Sequence, residues 1–160
     1  MEPIRVAWGV GRGPTATASF DAALADANLA NYNLVPVSSV VPADATVETV
    51  GTAPALGPVG DALYCVLARA TRPPGASAPA CAGLGWARDG AGRGLFYEES
   101  GTDPETVRGE IRAGLDHGMG LREWTPAADP EVVVESMPAS EDAYTTAVVV
   151  AACGESEPLV

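Results

Sequence analysis

The stretch Asn33-Leu34-Val35-Pro36-Val37-Ser38-Ser39-Val40-Val41-Pro42 decides how this chain is read. It is mostly apolar and β-branched, which predicts a buried strand over residues 33–41. Two adjacent serines nevertheless occupy its middle, and a proline closes it. Successive side chains of a strand face opposite sides, so one hydroxyl of the pair points wherever the other does not. A buried hydroxyl needs a hydrogen-bond partner. By itself a Ser-Ser pair in a strand means no more than that, and the rest of the chain has to add to it.

Upstream, residues 4–10 read as a first strand and residues 11–14 as a turn. A helix over residues 18–29 follows, capped by Thr15 or Thr17 and striped by Phe20, Leu24 and Ala27. Asp21 lies at the border of that stripe, where an acid in the first turns is ordinarily solvated or favoured by the helix dipole. Downstream, residues 42–60 are rich in proline and glycine and predict a surface loop with extended pieces. Strands are expected over residues 61–70, 77–88 and 95–100, with a turn at 72–75 and a hairpin loop at 88–94. Asp103-Pro104-Glu105 opens a second helix, whose stripe runs through Val107, Ile111, Gly114, Leu115 and Met119 and whose end is set by Gly118 and Gly120. Residues 131–137 and 144–153 read as an antiparallel pair joined by 138–142, and the tail 154–160 as frayed. Six or seven strands with one early and one late helix predict a single α+β domain over residues 1–160. Its expected form is a layered αββα sandwich of mainly antiparallel sheets.

Composition narrows the function. Twenty-one acidic residues face nine arginines and no lysine, for a net charge of −12. Nucleic acid and anionic membrane are therefore not expected partners. No run approaches the roughly 18 apolar residues of a membrane span. The N-terminal residues lack the layout of a secretory signal, so a cytoplasmic location is expected. Cys65, Cys81 and Cys153 are odd in number and far apart, which favours neither a disulfide framework nor a metal site. His117, the one histidine, falls near a helix end and reads as solvated. The strand–turn–helix at Gly9-Val10-Gly11-Arg12-Gly13 lacks the register of a dinucleotide fingerprint and has no following GK[ST], so a tight turn accounts for it better than a phosphate cradle.

Several segments together carry a resemblance. Gly9-Val10-Gly11-Arg12-Gly13, Ser19-Phe20-Asp21-Ala22-Ala23-Leu24, Asn31-Tyr32-Asn33-Leu34, Val37-Ser38-Ser39-Val40-Val41-Pro42 and Gly94-Leu95-Phe96-Tyr97-Glu98 resemble, in order and spacing, the pyruvoyl-dependent arginine decarboxylases. The likeness is tightest over the first forty-two residues. It implies self-cleavage between Ser38 and Ser39 into a β chain, 1–38, and an α chain, 39–160. The Ser39 hydroxyl would attack the Ser38 carbonyl in an N→O acyl shift. β-Elimination and hydrolysis with loss of ammonia would then leave a pyruvoyl group at position 39. The residues alone leave open which serine reacts, and the resemblance selects Ser39. It further implies Asn33 as the processing asparagine and Glu98 as the acid that reprotonates the substrate carbon. Asp21 would be the carboxylate that holds the substrate guanidinium. Glu99 stands where the family usually has an aromatic residue.

The implied activity is conversion of arginine to agmatine, a step toward polyamines, through a Schiff base on the self-derived pyruvoyl group. No added cofactor is needed, and the implied assembly is a trimer with sites between neighbours. Two other readings stay open at this stage: a pyruvoyl decarboxylase of another amino acid such as histidine, and a non-catalytic binding or assembly domain of the same fold.

Acid excess without lysine also predicts adaptation to high salt. The Debye length falls to about 3 Å near 1 M, which screens a self-repulsion that dilute buffer leaves in force. Dialysis from molar KCl into dilute buffer is expected to abolish most of the far-UV ellipticity. Full retention of the signal would refute the adaptation.

Overall fold

A computed structural model describes residues 1–160 and shows four layers: helix, sheet, sheet, helix. The first sheet holds five strands in the order β2 (Asn33–Pro36), β5 (Ala62–Arg72), β9 (Tyr144–Cys153), β1 (Ile4–Gly13), β4 (Val47–Gly51). The second holds four, β3 (Val40–Val41), β7 (Gly94–Gly101), β6 (Ala80–Arg88), β8 (Glu131–Met137). Helix α1 (Ala16–Asp26) covers the outer face of the first sheet and α2 (Pro104–Leu121) that of the second. Pairing is antiparallel except for β1 with β4 and β2 with β5. The expected α+β sandwich is the one found.

Three apolar cores lie between the layers. Ile4, Val6, Val66, Leu84, Trp86, Phe96, Val149 and Ala151 fill the space between the sheets. Ala23, Leu24, Leu29, Leu63 and Val150 seat α1, while Val107, Ile111, Leu115 and Met119 seat α2. Buried hydroxyls between α1 and its sheet are paired: Ser19 Oγ meets Thr146 Oγ1 at 2.6 Å, and Thr146 meets Thr71 Oγ1 at 2.8 Å. Thr15 caps α1 by accepting from Ala18 N–H, and Asp103 caps α2 by accepting from Thr106 N–H.

Three expectations are corrected. Residues 11–13 are not a turn: β1 runs on to Gly13, in register with β9 through Tyr144. Gly9, Gly11 and Gly13 share one face of the strand, and α1 lies directly on them. A Cβ at Gly9 would come 2.3 Å from Ala23 O, and one at Gly11 2.4 Å from Ala23 N. The period of two glycines is thus a floor for a helix, and a strand with no side chains on that face carries no hydrophobic signal to recognise. The expected extended piece of the loop 42–60 is β4, an edge strand paired in parallel with β1. The strands at 131–137 and 144–153 are not partners. β8 pairs with β6 and β9 lies between β5 and β1, so residues 138–143 carry the chain from one sheet to the other. The tail is tied down as far as Glu157, whose N–H and C=O exchange hydrogen bonds with Ala62.

The correction that matters most concerns residues 33–41. They form no single strand: β2 ends at Pro36 on the edge of the first sheet, and β3 begins at Val40 on the edge of the second. Residues 37–39 cross between them, with Ser38 exposed and Ser39 half-buried.

Glycine substitutions separate the two uses of the residue. Gly11→Ala forces a methyl into α1 and is expected to lower stability by about 1–3 kcal/mol. Gly109, in the solvent-facing interior of α2 with open space around it, gives the opposite sign. Gly109→Ala is expected to add about 0.5–1 kcal/mol. Denaturant titration of both variants in molar KCl checks the pair of signs.

Candidate active site

The crossing decides what surrounds the serines. Beyond Val40↔Leu95, antiparallel register places Ser39 opposite Phe96, and the Phe96 N–H donates to the Ser39 carbonyl at 2.7 Å. Directly opposed residues point to the same face, so the Ser39 side chain falls on the face that carries Phe96 and Glu98. There Ser39 Oγ donates to Glu98 Oε2 at 3.3 Å. This is longer than the roughly 2.5–3.0 Å of a strong O–H···O bond, so the hydroxyl is held but not locked.

A pocket of about 340 Å³ opens at this contact. The crossing supplies Ser38, Ser39 and Val40; β7 supplies residues 95–99; and Arg122, capping the C-terminus of α2, closes the side. Surrounding protein shields the Glu98 carboxyl from water on one side and pushes its pKa above the ordinary carboxylate range. The bond from Ser39 opposes that rise, and the neighbouring negative charge of Glu99 adds to it. Arg122 was not foreseen from sequence. It lies just past the last glycine of α2, and only the packing of that helix end beside β7 brings it to the pocket. Its Nη1 donates to Gly118 O at 3.0 Å, and its guanidinium lies 5.7 Å from the centre of the Trp124 ring. Arg93, itself bonded to Asp89, lies over the same ring at 4.9 Å.

Ser38, Ser39 and Glu98 therefore line one pocket. Asn33 and Asp21 do not join them within one protomer. Asn33 begins β2, and its Nδ2 donates to Gly60 O at 2.6 Å. It lines a separate groove of about 480 Å³ with Phe20, Tyr32 and Arg69. Asp21, next to Phe20, is exposed on α1. Both lie on the α1 side of the first sheet, away from the serines. A second groove, of about 510 Å³, adjoins the serine pocket and shares Ser38, Val40 and Phe96 with it. Val37, Val40 and Tyr64, all lining it, are 40%, 53% and 41% exposed, which leaves a large apolar surface beside the crossing.

The cysteines offer no competing nucleophile. Burial pushes the Cys65 thiol up to about 12, and it raises Cys153 as well. A hydroxyl beside a carboxyl that holds its proton to higher pH than an exposed one suits acyl transfer onto the hydroxyl and proton return to carbon.

A family model described as pyruvoyl-dependent arginine decarboxylase (PvlArgDC) matches residues 3–158. A protein of Halobacterium salinarum (strain ATCC 29341 / DSM 671 / R1), named pyruvoyl-dependent arginine decarboxylase, is 51% identical over 162 residues, covering 99% of this chain and 98% of its own. Relatives of the same name from Thermococcus sibiricus and Pyrococcus abyssi are 33% and 31% identical, covering 79% and 80% of this chain and 82% and 83% of theirs. The first of these organisms is a halobacterium by name, in keeping with the acid-rich surface.

The raised Glu98 pKa has a sign that can be checked. The folded chain holds this proton to higher pH than the unfolded chain does. The group's contribution to stability is therefore full below the ordinary carboxylate value and declines as pH climbs from there to the raised one. Glu98→Gln is expected to flatten that segment of the pH–stability curve, measured by denaturant titration at a series of pH values in molar KCl.

Proposed function

The chain belongs to the pyruvoyl-dependent arginine decarboxylase family, and on that footing we propose that it cleaves itself between Ser38 and Ser39 and converts L-arginine to agmatine and carbon dioxide. The observation that carries this reading is the contact of Ser39 Oγ with Glu98 Oε2 where the chain passes from the edge of the first sheet to the edge of the second, between β2 and β3.

The location suits a cut. β2 and β3 are both edge strands, so breaking the bond between them interrupts neither sheet. The fragment 1–38 carries β1, which lies between β9 and β4 and pairs with β9 over ten residues. It would therefore stay embedded after cleavage. The residues also fit a pyruvoyl group at position 39. The carbonyl that Phe96 N–H holds belongs to the amide of residue 39 with Val40, which the conversion leaves untouched. That group supplies an electrophilic carbonyl for the substrate amine and a sink for the electron pair left when carbon dioxide departs.

The protein's own residues do the rest. Glu98 orients the Ser39 hydroxyl during processing and, its shielded carboxyl holding a proton more readily than an exposed one, returns that proton to the substrate carbon in turnover. Asn33, which lies apart from the serines of its own protomer, would assist processing as a hydrogen-bond donor only from a neighbouring copy. Asp21 receives the guanidinium, whose planar fork matches a carboxylate. Asp21 lies outside the serine pocket of its own protomer, and exposed apolar surface adjoins that pocket. Both features support a site completed by a neighbouring copy, in a trimer of cleaved protomers. The negative net charge draws a cationic substrate toward it, less so as salt rises.

Denaturing intact-mass measurement is expected to resolve chains 1–38 and 39–160, the second blocked at its N-terminus, while native mass or gel filtration keeps them together. Ser39→Ala is expected to remain one inactive chain. Glu98→Gln keeps an acceptor oxygen and is expected to cleave, with decarboxylation lowered by about 10²–10⁴-fold; turnover near that of the unaltered protein would remove Glu98 from the mechanism. Arginine is expected to release carbon dioxide in this assay and histidine to release none. An active protein that is a single unbroken chain would overturn the reading.

A further inference from the structure

Arg88 ends β6, half-buried, at a position no part of the mechanism uses. Its guanidinium is spent entirely on backbone carbonyls. Nη2 donates to Pro42 O at 3.0 Å and to Ala43 O at 2.9 Å, Nη1 donates to Ala45 O, and Nε donates to Gly92 O at 2.8 Å, an oxygen Nη2 shares. It takes part in none of the ion pairs. From the other side, Gly92 presses on the same segment. At φ +85° it occupies the left-handed region, and a Cβ there would lie 2.5 Å from Ala43 O. The β6–β7 loop thus grips residues 42–45, which follow β3 directly.

We infer that Arg88 is a positioning residue, a clip on residues 42–45 that keeps residue 39 against Glu98 after the chain is cut in front of it. This rests on the reading above that the chain is cut between Ser38 and Ser39. In the uncut chain, residue 39 is held from both directions; upstream, Val37 N–H donates to Cys65 O at 2.9 Å. Cleavage removes the upstream hold. What remains is a chain terminus on a two-residue strand, the kind of segment that frays. Fixing the carbonyls just beyond β3 shortens the length that can move. An arginine suits the task because its rigid fork reaches several acceptors at once, where a lysine is a single compact charge. The bonds to Ala45 O and Gly92 O are partly buried and those to Pro42 O and Ala43 O exposed, and charge-assisted bonds to neutral carbonyls depend less on screening than surface ion pairs do.

The test uses the full chain in molar KCl. Arg88→Lys and Gly92→Ala attack the clip from its two sides. Asp103→Ala, which removes the cap of α2 at 2.9 Å from Thr106 N, serves as a comparison variant of lowered stability away from the clip. Each is followed for cleavage by intact mass, for kcat and KM on arginine once cleaved, and for the pH dependence of kcat. The clip predicts that both clip variants, while folded by circular dichroism, lose kcat by about tenfold or more. KM should stay within about twofold. The pH dependence of kcat should shift as well, because the clip sets how residue 39 meets the Glu98 carboxyl, and Asp103→Ala should show neither change. Failure of the folded clip variants to cleave, with Asp103→Ala cleaving normally, overturns the inference as stated, because the clip is then needed before the cut. Cleaved clip variants with unaltered kcat and pH profile overturn the inference, as does an equal loss in Asp103→Ala at matched stability. An unaltered chain that never cleaves instead overturns the reading beneath it, and that is seen before any variant is made.

Discussion

The hydrogen bond from Phe96 N–H to the Ser39 carbonyl is the constraint on which the site depends. It ends a two-strand ladder one residue beyond the last formal pair, and so fixes where the chain stops crossing and starts running along the second sheet. Side-chain direction follows from that register without further adjustment. Ser39 faces Glu98 because both stand on the face that Phe96 buries. A slip of one residue would turn the hydroxyl away and leave the carboxyl facing an apolar neighbour.

The same crossing suits the proposed cut between Ser38 and Ser39. A bond within a central strand is flanked by ladder partners, and breaking it would disrupt the sheet. Between two edge strands, the cost falls on neither core. The large cores sit elsewhere: between the sheets around Trp86, Phe96 and Val149, and under each helix. Close layer contact is achieved by omitting side chains, on β1 under α1 and on β6, where Gly83 and Gly85 face Ile111. Small residues in the sheets allow the helices to lie near enough to bury both faces of the central strands.

Charge is arranged to leave the interior indifferent to salt. Of the three ion pairs, only that of Arg93 with Asp89 has a buried partner. The arginines that hold architecture together, Arg88 and Arg12, do so mainly through carbonyl oxygens or hydroxyls. Acidic excess therefore acts as a property of the surface, answerable to ionic strength, while the contacts around the crossing are dipolar and short-ranged.

The sequence by itself determined the layered α+β class, both helices, the cap of α2 and the β6–β7 hairpin, and its motif order named Ser38, Ser39 and Glu98 as candidates. Each of these is signalled locally, by side-chain period, by capping residues, or by motif order. The tertiary structure alone decided that residues 33–41 belong to two sheets, that Gly9-Val10-Gly11-Arg12-Gly13 is strand, and that β8 and β9 are not partners. It also decided that Arg122 reaches the pocket and Arg88 the segment after β3, and that Asp21 and Asn33 lie apart from the serines. The physical reason is the same throughout. Periodicity reports whether a residue is covered, and covering is a local average, whereas sheet membership is set by hydrogen bonds to strands distant in sequence, whose identity a run of valines does not encode.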